Sequence, residues 1–182
     1  MRSGIVPGRP TTGTKRLRSA VLAGAVGIGI CLAATNVQAA CAFKGKGTVC
    51  KGDFSAMALL ITDPNWRAKW DTPPETTPHL RGSDKLGKGE KGTLLTFVTA
   101  GRGGPTELAC EVTVKDPQGK VQKHPAQLCY RGDMVPGHIH LTGLEIALEG
   151  DGEPGKAEFT IGIKNMKTGT RLSLKQQVIF TQ

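Results

Sequence analysis

His138-Ile139-His140 is the spacing in this chain with most scope for chemistry. Two residues apart on a strand, both imidazoles leave the same face about 7 Å apart. That is two ligands of the four, or three plus water, that zinc requires. His79, His124 and Met134 are the residues able to complete a zinc or copper site. The competing reading is a solvent-facing pair opposite a buried Ile139 and Leu141. Trp66 and Trp70, the only two tryptophans, are spaced i, i+4, so a short helix would carry both on one face. They suit stacking on a sugar ring or a partner's side chains. More often such a pair plugs the open end of a sandwich core. No G-x-S-x-G, H-E-x-x-H or phosphate-loop pattern occurs, so no nucleophile or cofactor can be nominated. Arg131-Gly132-Asp133 spells an adhesion tripeptide on an expected loop, a match of chance frequency.

Residues 1–39 read as a secretory signal peptide. Arg2, Arg9, Lys15, Arg16 and Arg18 form a basic start without one acid. The apolar run Ala20–Ala34 is too short to span a bilayer comfortably, and Val37-Gln38-Ala39 offers small side chains for cleavage before Ala40. Cleavage would leave 143 of the 182 residues, enough for one domain with a real core. It would also lower the net charge from +9 to +4, with 19 basic against 15 acidic residues. Those charges are interspersed rather than gathered on one stripe, which excludes nucleic acid as the expected partner. No membrane span is expected after the signal.

Cys31 falls in that signal, leaving Cys41, Cys50, Cys110 and Cys129. An even number in an exported chain implies two disulfides, with three possible connectivities. Proximity favours Cys41–Cys50 and Cys110–Cys129, and the absence of a C-x-x-C pair argues against zinc. Residues 40–53 are then a small disulfide-closed segment leading into a domain over 54–182.

Low aromatic content (4%) with 25 Gly and 11 Pro suits many short strands better than helices. Phe54–Thr62 is apolar on both alternations: Phe54, Ala56, Ala58 and Leu60 on one face, Met57, Leu59 and Ile61 on the other. Its length favours a buried strand over a helix. Asp63 is a candidate N-cap and Pro64 a candidate first helical residue of the turn holding the tryptophans. Pro73, Pro74 and Pro78 then end it. Leu94–Thr99 follows as a strand, and Cys110, Val112 and Val114 alternate with Glu111, Thr113 and Lys115. Asp116-Pro117-Gln118-Gly119 is a turn with Pro and Gly at their favoured positions. Val121–Tyr130 returns, and Pro125 within it marks an edge strand. Alternation resumes over His138–Leu141, Leu144–Glu149, Glu158–Lys164 and Leu172–Phe180. The expected fold is all-β: an immunoglobulin-like β-sandwich of about seven antiparallel strands, with one short helical turn near Pro64–Trp70.

Several of these segments, in this order, resemble a family of small exported bacterial proteins. They are Thr62-Asp63-Pro64-Asn65-Trp66 with Trp70-Asp71-Thr72-Pro73, then K-G-E-K-G-T-L-L-T-F-V, C-E-V-T-V-K-D-P-Q-G-K and E-P-G-K-A-E-F-T-I. The likeness runs from Phe54 to Phe180 and is most specific at the tryptophan corner. It implies an immunoglobulin-like sandwich and carries over no catalytic residue. The function expected is a non-enzymatic binding or accessory module, periplasmic or secreted, that recognises a protein or peptide partner in the cell envelope. Metal binding through His138 and His140 is the first alternative, and carbohydrate binding through Trp66 and Trp70 the second.

Overall fold

The computed structural model of the protein describes residues 41–72 and 80–182. The signal peptide expected over 1–39, together with Pro73, Pro74, Pro78 and His79, lies outside the described residues.

Alternating side chains make strands, and the loops between them set the order. The strands are β1 (Thr48–Lys51), β2 (Phe54–Ile61), β3 (Gly82–Ser83), β4 (Lys85–Leu86), β5 (Lys91–Ala100), β6 (Gly104–Lys115), β7 (Val121–Met134), β8 (His140–Glu149), β9 (Gly155–Asn165) and β10 (Arg171–Phe180). Seven of them are eight residues or longer, which matches the expected number. One sheet runs β1-β2-β5-β8, with β3 also on β2. The other runs β4-β10-β9-β6-β7, antiparallel except for the short β4–β10 contact. Taking only the long strands, the first, second and fifth form one sheet and the seventh, sixth, third and fourth the other. This is the connectivity of an immunoglobulin-like sandwich, except that the fourth strand stays beside the third. The tight Asp116–Lys120 turn explains that placement. Gly119 N–H donates to Asp116 O at 3.0 Å, and Lys120 N–H to the Asp116 carboxylate at 2.8 Å, so β6 and β7 form a hairpin.

The sandwich interior holds Phe54, Ala56, Ala58, Leu60, Leu94 and Val98 from the first sheet. Leu108, Cys110, Val112, Phe159, Ile161, Ile163, Leu174 and Val178 face them from the second. The other alternation of β2 is buried too, against a separate apolar layer. Ile61, Leu95 and Phe97 on the outer face of the first sheet lie under Phe43 and Trp66, with Trp70 and Leu80 alongside. Helix α1 (Trp66–Trp70) therefore makes a third layer over that sheet. A strand covered on both faces needs apolar side chains on both alternations, which is what Phe54–Ile61 carries.

Several local expectations need correction. The N-cap is Asn65, whose side chain caps nothing, and Pro64 lies in the preceding turn rather than at the first helical position. Asp63 acts one step earlier: its carboxylate accepts the Asn65 N–H at 3.0 Å, and its carbonyl accepts the Trp66 N–H at 3.2 Å. The pairing Lys69 holds the Asp63 carboxyl below the usual carboxylate range, and the Asn65 N–H adds to this. Residues 48–51 are not merely a leader, because β1 pairs with β2 along Thr48–Lys51. Arg131-Gly132-Asp133 lies within β7 rather than on a loop.

Candidate functional site

The two sheets end side by side at β7 and β8, each hydrogen-bonded, among the described residues, to a neighbour on one side only. β7 is the longest strand, and of its fourteen residues only Cys129 and Met134 are buried. In an antiparallel ladder every second residue turns its N–H and C=O away from the partner, so β7 offers an outward row of donors and acceptors. Pro125 sits on this edge, as its missing N–H requires. The register against β6 shifts twice, near Ala109 and near Glu111. Prolines and bulges of this kind keep an edge from pairing indiscriminately. The side chains along it include Lys123, His124 and Arg131 against one acid, Asp133.

The edges touch at one end and part at the other. A side chain on Gly143 would bring its Cβ within 3.3 Å of the Cys129 carbonyl oxygen, which accounts for glycine in mid-strand. β8 therefore runs through Gly143 without a break, where the sequence pattern had placed two segments. Beyond that pinch the strands diverge into a cleft of about 290 Å³. Cys110, Val112 and Val114 floor it, between Pro125 and Gln127 of β7 and Leu144 and Ile146 of β8. Core side chains are thus reachable from the same side as the free β7 edge.

The disulfide Cys110–Cys129 bridges β6 and β7 within one sheet, Cα atoms 5.6 Å apart, and secures this edge from beneath. Cys41–Cys50 closes the segment that leads into β1, Cα atoms 5.7 Å apart. Both pairings are those favoured by proximity in the sequence. Two disulfides are the chemistry of an oxidising compartment outside the cytoplasm. No helix among the described residues is long and apolar enough to cross a membrane.

The histidines do not share a strand face. His138 and Ile139 lie in the exposed loop before β8, and Ile139 is 49% exposed rather than buried. His140 opens β8 with both ring nitrogens engaged. Val135 N–H donates to Nε2 at 3.2 Å, which puts the ring proton on Nδ1, 3.2 Å from the Tyr130 hydroxyl. Tyr130 in turn donates to Asp133 O at 3.3 Å. This network ties the end of β7 to the start of β8 and leaves His140 no free lone pair for a metal. His124 lies on β7 and lines the cleft, while Met134 is buried in the core. Among the described residues no three His, Cys, Asp or Glu side chains gather as metal ligands do.

Burial, with Asp133 nearby as the second cause, pushes the Tyr130 hydroxyl above its ordinary range. Tyr130 is the sole tyrosine, so phenolate absorbance reports it alone. Its titration midpoint should lie above that of free tyrosine and fall back on unfolding. The fold favours the neutral phenol, so this contribution to stability is complete below the ordinary tyrosine pKa and is lost as pH rises through the raised value. A midpoint at or below the ordinary value would contradict the burial of the hydroxyl.

The tryptophans form the outer layer of the first sheet and do not plug the sandwich's open end. Trp66 is 7% exposed. Arg67 covers its ring, the guanidinium carbon 4.6 Å from the centroid, and pairs with Glu145 of β8. Trp70 is half-buried against Phe97, ring centroids 5.3 Å apart. With Trp66 buried under Arg67 and Trp70 packed on Phe97, the pair does not form an open two-ring platform for a sugar. The feature that residue-type reasoning missed is the cleft. Pro125 marked β7 as an edge, but nothing local indicated that β8 would be the edge facing it.

Sheet order and pairing define the class: an immunoglobulin-like β-sandwich with an added outer layer over one sheet. Comparison with known families and proteins gives no matching family model and no matching curated protein. Among solved structures, the chain is similar to the CARDB domain of the PF1109 protein from Pyrococcus furiosus. Identity there is 14%, over 56% of this chain and 87% of that one, with a TM-score of 0.37. It is also similar to the C-terminal domain of Wzt, at 11% identity over 76% of this chain and 82% of that one, TM-score 0.41. The fold class rests on the strand pairing above and not on these likenesses.

Proposed function

We propose that the protein is a non-enzymatic exported module, periplasmic or secreted, that takes a protein or peptide partner in the cell envelope by strand addition along β7. One observation carries this reading. A fourteen-residue strand has its outward side unpaired among the described residues, beside a cleft that opens onto core side chains. In such recognition the main-chain hydrogen bonds supply affinity, and pockets for alternate side chains supply specificity. Cys110–Cys129 supports the role, because an edge clamped from beneath is already ordered and loses little freedom on binding.

The test is a photo-crosslinking amino acid placed at Gln127, which lines the cleft, and at Ser173 on the outer face of β10 as control. In cells, Gln127 should give discrete adducts with a protein or peptide, and Ser173 none. Equal labelling from both positions, or none from Gln127, would overturn strand addition.

A further inference from the structure

We propose that the strand received by β7 is β7 of a second copy of this chain, paired antiparallel about a two-fold axis at Leu128. This rests on the strand-addition reading and names its partner. A two-fold interface must be self-complementary, each residue meeting its mirror position along the strand. Positions on β7 are best counted by their partners on β6, so that each bulge counts once. Leu128 stands opposite Ala109, Lys123 opposite Thr113, and Asp133 opposite Pro105. Lys123 and Asp133 therefore lie four ladder steps from Leu128 on either side. Val121, opposite Lys115, lies six steps away on one side. Val135, one residue past the end of the strand and beyond its last β6 partner, would continue the count to six on the other.

These even steps keep Leu128, Lys123, Asp133 and Val121 on the outer face, where opposite residues of paired strands touch, and Val135 follows just beyond the ladder. Folding about Leu128 sets Leu128 against its copy, Val121 against Val135, and Lys123 against Asp133, each of the last two twice by symmetry. Leu128, Val121 and Val135 are 53%, 52% and 46% exposed, three of the five large hydrophobics that the described surface leaves in water. The register thus covers every exposed large apolar side chain of this edge and neutralises its one acid. A slip of two steps one way puts Lys123 against Arg131. The same slip the other way puts Leu128 against Arg131 and Lys123 against Val135. Only the symmetric register matches both charge and apolar surface, and so the edge's own sequence specifies which strand it accepts.

Sedimentation of the purified protein over a concentration series should show a reversible dimer. Leu128→Lys places two ammonium groups on the axis and should leave monomer throughout. Lys123→Asp turns two attractive pairs into repulsive ones and should weaken association on the order of tenfold. Lys123→Asp with Asp133→Lys should restore it, a recovery that a merely damaged fold would not show. Lys123, Leu128 and Asp133 are exposed, so unfolding midpoints measured at dilutions where every variant is monomeric should not move. Monomer at every concentration overturns the proposal, as does a dimer indifferent to these changes. The Gln127 crosslinker separates the two levels. Adducts only with other chains overturn the second copy and keep strand addition, whereas no adducts overturn both.

Discussion

Replacing Trp66 with alanine should cost about 3–5 kcal/mol of unfolding free energy, measured by urea denaturation. The size follows from its position. The ring is the buried lid over Ile61, Leu95 and Phe97, and its removal opens both a cavity and the outer face of β2 and β5 to water. Helix α1, five residues long, has no stability of its own and is held by this side chain. Arg67 would lose the ring beneath it, and its pairing with Glu145 would be left without a support. Trp70→Ala should cost less, because that ring is only half-buried. A loss below about 1 kcal/mol for Trp66→Ala would mean that the outer layer contributes little, and would return the tryptophans to candidacy as a ligand surface.

Removing the inner bridge by Cys110→Ala/Cys129→Ala should lower stability by about 3 kcal/mol through the freed unfolded chain. The two cysteines are 1% and 6% exposed, so the change also leaves a void between β6 and the cleft. Amide exchange should show where that loss falls. β7 should lose protection before β9 and β10, since among the described residues β6 is its one neighbour in the sheet. Cys41→Ala/Cys50→Ala should act more locally, on β1 and the turn into β2, because Cys41 is exposed and the bridge closes a separation of nine residues against nineteen. Uniform loss of protection across both sheets in the inner-bridge variant would contradict a clamp that serves the edge.

Much of this was legible in the residues. Alternation in Cys110–Lys115, Glu158–Lys164 and Leu172–Phe180 states which side chains share a face, and the strands form there. Pro125 cannot donate to a second neighbour, so β7 was recognisable as an edge before any topology was known. The Cys41–Cys50 and Cys110–Cys129 pairs follow from short separations. Asp63-Pro64 announced a helix start but not its offset, because an Asp side chain closes a turn as readily as it caps a helix.

The candidate site was less legible, because it depends on what lies opposite what. His138 and His140 satisfy a strand's spacing, yet the chain leaves the ladder before His140, and the engagement of that ring is decided by Tyr130 ten residues away. Gly143 resembled a break, and only the approach of Cys129 from the other sheet shows it to be a point of contact. By itself the sequence determined an all-β domain with two disulfides, an edge at Pro125 and a first long strand apolar on both faces. The tertiary structure alone decided that α1 covers the outer face of that strand, that β7 and β8 end together around a cleft, and that the tryptophans are cover rather than platform. The reason is physical: periodicity is a local property of the backbone, whereas the partner of each face is chosen by packing between segments far apart in the chain.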